Sequence, residues 1–157
     1  MGVFDILFSG WYTLNHIITH YLLRERIMKK KKLFKHPDIV ISTCKFGHGV
    51  FTTQKILADT TLEECPFLRI KADECTGILD DYVFNVDDDG KRSSPCYILV
   101  LGWGSLFNHG KNHNVEYWHD TDRDLIVFHT IRDVPAGKQL FVNYGAEWWD
   151  TRDLDPL

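Results

Sequence analysis

The sequence predicts a mainly β domain built of short strands, and three observations carry that expectation. From Ile39 onward, short runs rich in Val, Ile, Phe, Tyr and Thr are broken by Gly, Asp, Asn and Pro. No stretch of that region has the periodicity of a long amphipathic helix. The chain of 157 residues is 44% hydrophobic with five Trp, enough apolar side chain for one sizeable core, and its 25% of charged residues lies in the globular range. The formal charge of −4 gives no overall polyanion-binding surface, so no direct nucleic-acid contact is expected.

Taken in chain order, residues 1–23 are apolar and aromatic, and residues 24–36 then carry seven Lys or Arg against one Glu. This shift in composition divides the chain into an N-terminal arm, 1–35, and a main domain, 36–157. Asp5, Asn15, His16 and His20 interrupt the apolar run, which therefore falls short of the clean stretch of about 20 residues that a spanning helix needs. It also lacks the basic start and small-residue cleavage site of a secretory signal. Three readings stay open: an added N-terminal helix packed on the main domain or on a second subunit, a membrane anchor held by the basic flank, and a frayed arm. Lys29 to Lys32 is either a nuclear-import signal or solvated charge.

In the main domain, DIVISTC (38–44), GVFTTQKIL (49–57), YILVLGWGSLF (97–107), VEYWH (115–119), LIVFHTI (125–131) and QLFVNYG (139–145) read as strands. Residues 63–85 hold a further strand and a short helix, and residues 87–95 form a loop by their Asp, Gly, Ser and Pro content. Cys44, Cys65, Cys75 and Cys96 are scattered without a CxxC pair, which removes zinc-ribbon and redox-pair readings. Reduced thiols in turn predict an intracellular chain, in nucleus or cytoplasm.

Four features at strand ends carry candidate chemistry. Gly47-His48-Gly49 leads into a strand; its glycines permit positive φ or close backbone approach, which suits a plain hairpin turn as well as a bound ligand. Gly102 to Asn114 concentrates backbone-bonding side chains, with Asn108, His109 and Asn114 at a sharp reversal. His109, His113 and His119 have no acidic partner at metal-ligand spacing, so no metal is expected. Tyr144 ends a strand before Gly145, either aimed into a cleft or packed at a rim. Trp148 and Trp149 follow as a stacking lid or as the plug of a small core.

In this order, GHGVF, then GWGSLFNHGKNHN, then LFVNYG resemble the SET domain of protein lysine methyltransferases over roughly residues 39–149. With no zinc-binding cysteine cluster before or after, and with the YGAEWW ending, the chain is most similar to the minimal SET proteins, among them the virally encoded histone methyltransferases. The resemblance implies a pseudoknotted β-clip in which the segment 108–114 and the tail near Tyr144 thread past one another. It implies S-adenosylmethionine as cofactor, held by the backbone of Gly47, His48 and Gly49, by Asn108 and His109, and under Trp148 or Trp149. Tyr144 matches the catalytic tyrosine, which also borders the cofactor. Tyr117 matches the residue that tunes methyl number, and Tyr82 aligns more loosely with a wall of the lysine channel, where aromatic faces favour an alkylated ammonium.

Gly110, Lys111 and His113 depart from the family's usual Ser, Cys and Pro, and this predicts weaker cofactor binding. The implied partner is a lysine-bearing protein, a histone tail or another basic protein, met by an acidic face of Glu63, Glu64, Asp80, Asp81 and Asp87 to Asp89, or else these carboxylates only solvate loops. A homodimer completed by the arm is a further expectation. The competing readings are a SET-like module that binds peptides without catalysis, and an unrelated β-rich domain whose functional end is its membrane-tethered arm.

Overall fold

The computed structural model describes residues 32–85, 96–150 and 152. Leu33–Leu157 form one unit and Met1–Lys32 another. The expected N-terminal helix, with its membrane or second-subunit contacts, falls on residues 1–31 and lies outside the described residues, as does the loop 87–95. Among the described residues, no helix is long and apolar enough to cross a membrane.

The domain is mainly β, as its composition predicts. Strands β1 (Ile39–Cys44) and β2 (Gly47–Thr52) form a hairpin. Strands β3 (Thr61–Cys65), β8 (Val115–Asp120) and β9 (Leu125–Thr130) form a sheet in the order β3-β9-β8, and β4 (Phe67–Lys71), β5 (Val83–Asn85) and β6 (Cys96–Val100) another in the order β4-β6-β5. Pairing within these three units is antiparallel. The fourth unit is a parallel pair of two-residue strands, β7 (Asn108–His109) and β10 (Phe141–Val142). One short helix, α1 (Ala146–Asp150), closes the described chain.

The sequence pattern explains these placements. The unbroken LIVF of β9, the central strand of its sheet, is buried on both faces by packing in the core, whereas β8 alternates, exposing Glu116 and Trp118 while Val115 and Tyr117 face inward. Phe128 of β9 stacks on Phe107, ring centroids 4.7 Å apart at 12°, and both are fully buried in a core with Leu62, Val100, Leu140 and Val142.

Four expected elements change shape. The strand expected over 49–57 ends at Thr52, where the chain bends, and Ile56 pairs with Val134 in an isolated bridge. The strand expected over 97–107 stops at Val100, because Gly102 takes φ of +84° and Gly104 packs so closely that a Cβ there would lie 2.3 Å from Val100 and 2.8 Å from Phe128. A 3₁₀ turn at Gly104–Leu106 follows instead. Buried Glu63 accepts the Trp103 N–H and fixes this reversal; burial raises its pKa despite that bond. Residues 63–85 form most of β3, all of β4 and β5, and 3₁₀ turns at Ala72–Glu74 and Gly77–Asp81, rather than one strand and a helix. The strand expected over 139–145 is reduced to β10 because the chain crosses another segment there.

That crossing is the expected pseudoknot. Asn108 and His109 pair with Phe141 and Val142, and the Gly110 N–H donates to the Val142 carbonyl at 3.1 Å. Asn114 then wraps the passing strand from its other side. Its backbone N–H donates to the Phe141 carbonyl, its Oδ1 accepts the Phe141 N–H at 2.8 Å, and its Nδ2 donates to the Gln139 carbonyl at 3.0 Å. The side chain is buried, so both of its bonds are isolated from competing water.

Asn114→Ala is therefore expected to destabilise the domain by about 2–4 kcal/mol in urea denaturation, since it leaves a backbone donor and acceptor unpaired inside the knot. A loss below about 0.5 kcal/mol would mean that the crossing holds without this side chain.

Candidate functional site

The hairpin, the knot and α1 meet at two adjoining hollows. Cys44 and Gly47 are register partners at the β1–β2 reversal, and Gly47 takes φ of +95°, a conformation that L side chains rarely adopt. Two residues on, a Cβ at position 49 would lie 2.7 Å from the Asn108 side-chain nitrogen and 2.3 Å from that of Gln139. The two glycines thus do different work: the first turns the chain, and the second lets the strand lie against the knot. Asn108 donates from Nδ2 to the His48 carbonyl at 3.0 Å, tying the hairpin tip to β7. The motif forms the hairpin turn, and its Gly47 and His48 border the larger hollow.

The larger hollow, about 520 Å³, is bordered by Gly47, His48, Asn108, His109, Trp148 and Trp149, with Tyr82 and Tyr144 at one side. The smaller, about 300 Å³, contains Tyr117, Phe84, Phe107 and Tyr97, and again Tyr82 and Tyr144. Gly49 borders neither hollow and instead packs beneath the larger one. The other residues that the resemblance assigns to the cofactor or to catalysis stand around one or both spaces. Tyr117 belongs to the smaller only, edge-on to Phe84 at a centroid distance of 5.1 Å.

Tyr144 stands between the two spaces and is held from several sides. Its backbone N–H donates to His109 Nδ1 at 3.2 Å, and its hydroxyl donates to the Phe107 carbonyl at 3.0 Å. Its ring lies 5.0 Å from that of Trp148 and 6.4 Å from that of Trp149. Burial pushes the phenol up to about 12. It is therefore a neutral phenol at physiological pH, with its proton directed at Phe107 and its oxygen lone pairs left as acceptors.

His109 is a buried ring whose Nδ1 already accepts a proton donor, so its own proton sits on Nε2. Nε2 and the indole Nε1 of Trp149 are both buried without a hydrogen-bond partner among the described residues, on rings 4.8 Å apart beside the larger hollow. Two unpaired donors in one wall suit a ligand or waters with acceptor atoms. Trp149 is a plug as well as a wall, being nearly fully buried, whereas Trp148 is only half-covered.

The expected acidic face is only partly realised. Glu63 is turned inward on Trp103, and Glu64 binds Arg123 at 2.7 Å and the Phe34 N–H at 3.0 Å; neither borders the hollows. Asp80 and Asp81 do, and Asp87 to Asp89 lie outside the described residues. Sequence reasoning missed Arg152, which borders both spaces, together with Ser105 and Phe107. Nothing local marks them: Arg152 is one cation in a polar tail, and Ser105 and Phe107 sit in a run that reads as strand. Among the described residues, no group of three or more His, Cys, Asp or Glu is placed to hold a metal.

Comparison with known proteins gives consistent matches. The family described as the SET domain matches residues 47–145. A Schizosaccharomyces pombe protein named as a histone-lysine N-methyltransferase specific for H3 lysine-37 is 30% identical over 122 residues, covering 74% of this chain and 79% of its own. A crystal structure of a proposed histone methyltransferase from Plasmodium falciparum superposes with a TM-score of 0.57 at 25% identity, covering 73% of this chain and 98% of its own.

Burial lowers the His109 pKa, and the positive charge available on His113 and Lys111 lowers it further. The neutral ring contributes stability that is present above the ordinary value of about 6.5 and is lost as the pH falls through the lower folded value. Nitrogen-detected imidazole spectra should show His109 protonated at Nε2 and titrating below the ordinary value. Titration at or above it, or a proton on Nδ1, would contradict the Tyr144 contact.

Proposed function

The chain belongs to the SET-domain family, and from that premise we propose that it is an S-adenosylmethionine-dependent protein-lysine N-methyltransferase acting on a histone tail or another basic protein, in the nucleus or cytoplasm. The observation that carries the reading is one tyrosine, Tyr144, bordering both hollows. A transfer between two molecules that enter from different sides needs such a junction. The named activity of the Schizosaccharomyces pombe relative supports the same reaction class.

The residues of the larger cleft fit the cofactor. Its two buried unpaired N–H donors suit the acceptor atoms of a purine and an amino-acid carboxylate, and its indoles suit an aromatic face. The backbone of Gly47 and His48, with Asn108, His109, Trp148 and Trp149, would hold it there, and Gly49 would keep the hairpin close enough for Asn108 to reach. When bound, the cofactor supplies an electrophilic methyl group on a positively charged sulfur.

The chain's own residues have a limited task in such a displacement: to align the amine and to keep it neutral. The aromatic wall of the smaller chamber, Tyr82, Phe84, Phe107 and Tyr117, would withdraw a lysine side chain from water and disfavour its ammonium form, while Asp80 and Asp81, which line the same space, are paired with Arg152. The Tyr144 hydroxyl cannot serve as a general base at neutral pH, because burial holds its pKa at about 12. Its proton is committed to Phe107, so it acts by accepting N–H bonds from the amine and orienting the nitrogen lone pair. The amine proton then leaves to water. Tyr117, in the wall, is the residue we assign to limiting how many methyl groups are accepted.

Calorimetric titration with S-adenosylmethionine, followed by labelled methyl transfer to mixed histones, tests the proposal. Saturable binding is expected, weakened about tenfold by Asn108→Ala, which frees the hairpin tip. Tyr144→Phe should lower turnover by about a hundredfold while cofactor affinity stays within about threefold. No binding at millimolar cofactor would overturn the reading in favour of a non-catalytic module. Equal loss of affinity in both variants would overturn the separate roles.

A further inference from the structure

Arg152 lies outside the stretch matched by the family and has no evident role in the chemistry, yet it borders both hollows. Its side chain is only 15% exposed and its guanidinium is spent across two elements. Nη2 donates to the Asp80 carbonyl at 2.6 Å and to Asp80 Oδ2 at 2.7 Å, and Nε donates to Asp81 Oδ1 at 3.2 Å, all in the 3₁₀ turn Gly77–Asp81. Nη1 donates to the Trp148 carbonyl at 3.0 Å, and the guanidinium lies 4.1 Å from the Trp148 ring centre, both on α1. The Arg152 N–H also closes α1 by donating to the Trp149 carbonyl at 3.1 Å.

The two joined elements each carry lining residues of the hollows. The 3₁₀ turn leads directly into Tyr82, and α1 carries Trp148; Tyr82, Trp148 and Asp81 each border both hollows. The two segments are about 70 residues apart in sequence, and no strand pairing joins them. A planar fork that bonds one backbone carbonyl and two side chains of the turn while lying on an indole fixes a distance and an angle together, which a lysine's single point of charge cannot do. Its single positive charge also offsets the repulsion between the two adjacent carboxylates beside the passage.

We propose that Arg152 is a positioning residue that latches α1 to the Tyr82 turn, so that one side chain sets the aperture shared by the cofactor cleft and the lysine chamber and makes occupancy of one favour occupancy of the other. Its consequence for binding rests on the methyltransferase reading; the latch itself does not. Opening the latch would loosen Trp148 and Tyr82 together. Tyr144 would keep its bonds to His109 and Phe107, so the aligned chemistry would survive once both sites are filled.

Two measurements on the full chain separate these parts, with Arg152→Gln and Arg152→Lys compared after circular dichroism confirms that both are folded. In amide hydrogen exchange without ligand, Arg152→Gln should speed exchange in residues 77–82 and 146–150 together by about tenfold or more, with β8 and β9 unchanged. A response in one segment alone, or in neither, overturns the latch whatever the protein binds. In steady-state kinetics with S-adenosylmethionine and a histone peptide, Arg152→Gln should raise both the cofactor Kd and the peptide KM about tenfold with kcat within about threefold, and Arg152→Lys should recover part of each. A raised cofactor Kd with unchanged peptide KM would overturn the coupling. So would a lowered peptide KM, which would assign Arg152 to masking the two carboxylates. If the wild-type chain transfers no methyl group, the methyltransferase reading falls while the exchange result still decides the latch.

Discussion

The structure depends on one crossing. Two strands of two residues each, β7 and β10, are too short to hold together by their own ladder, and they pair parallel, the arrangement that slants its bonds. What holds them is that Asn114, a few residues beyond β7, reaches around to the far side of β10 with both its backbone and its side chain. The passing strand is thereby bound on two sides and cannot be withdrawn without breaking both sets at once. Because β7 carries Asn108 and His109 and the chain after β10 carries Tyr144, the same crossing assembles the site. Folding and function share one constraint.

Several departures from simple expectation follow from the crowding at that crossing. Gly110 loses a hydroxyl that would brace the turn, but a Cβ at this position would lie 2.9 Å from the Phe141 ring. A glycine there lets a large aromatic fill the space, and the brace comes from the Gly110 N–H bond to Val142 and from Asn114 instead. The fixed φ that a proline would give residue 113 is likewise replaced by hydrogen bonds made one residue later. The pattern of residues differs, while the demand that the turn be rigid is met by other contacts.

The residues differ in how far the sequence reveals them, for physical reasons. Strands β8 and β9 are legible because alternation and unbroken apolarity follow from burial on one face and on both. The candidate site is legible where its residues lie in short ordered motifs, as with Gly47, Asn108, His109 and Tyr144. It is not legible where a role depends on contacts distant in sequence. Glu63 reads as one acid among several until Gly102 and Trp103 turn over it. Arg152 reads as a solvated tail residue until two segments about 70 positions apart converge on it. The break after Val100 is hidden because Leu101, Trp103, Leu106 and Phe107 continue the apolar texture of β6 while the backbone has already turned.

These long-range contacts matter most at Tyr144. Its backbone is fixed by His109 and its hydroxyl by Phe107, residues 35 and 37 positions earlier that lie in and immediately before the first strand of the crossing. The two ends of one side chain are thus referenced to the same short segment, and any shift of β10 relative to β7 moves the amide and the hydroxyl contact together. A group that only orients a reacting nitrogen supplies its effect through placement, and displacement by about 1 Å can cost about a hundredfold in rate. A knot is a slow and topologically demanding way to place one tyrosine, but it makes the placement part of the fold's most constrained element. The walls around it are joined instead by a single arginine, Arg152, which bonds both the Gly77–Asp81 turn and α1.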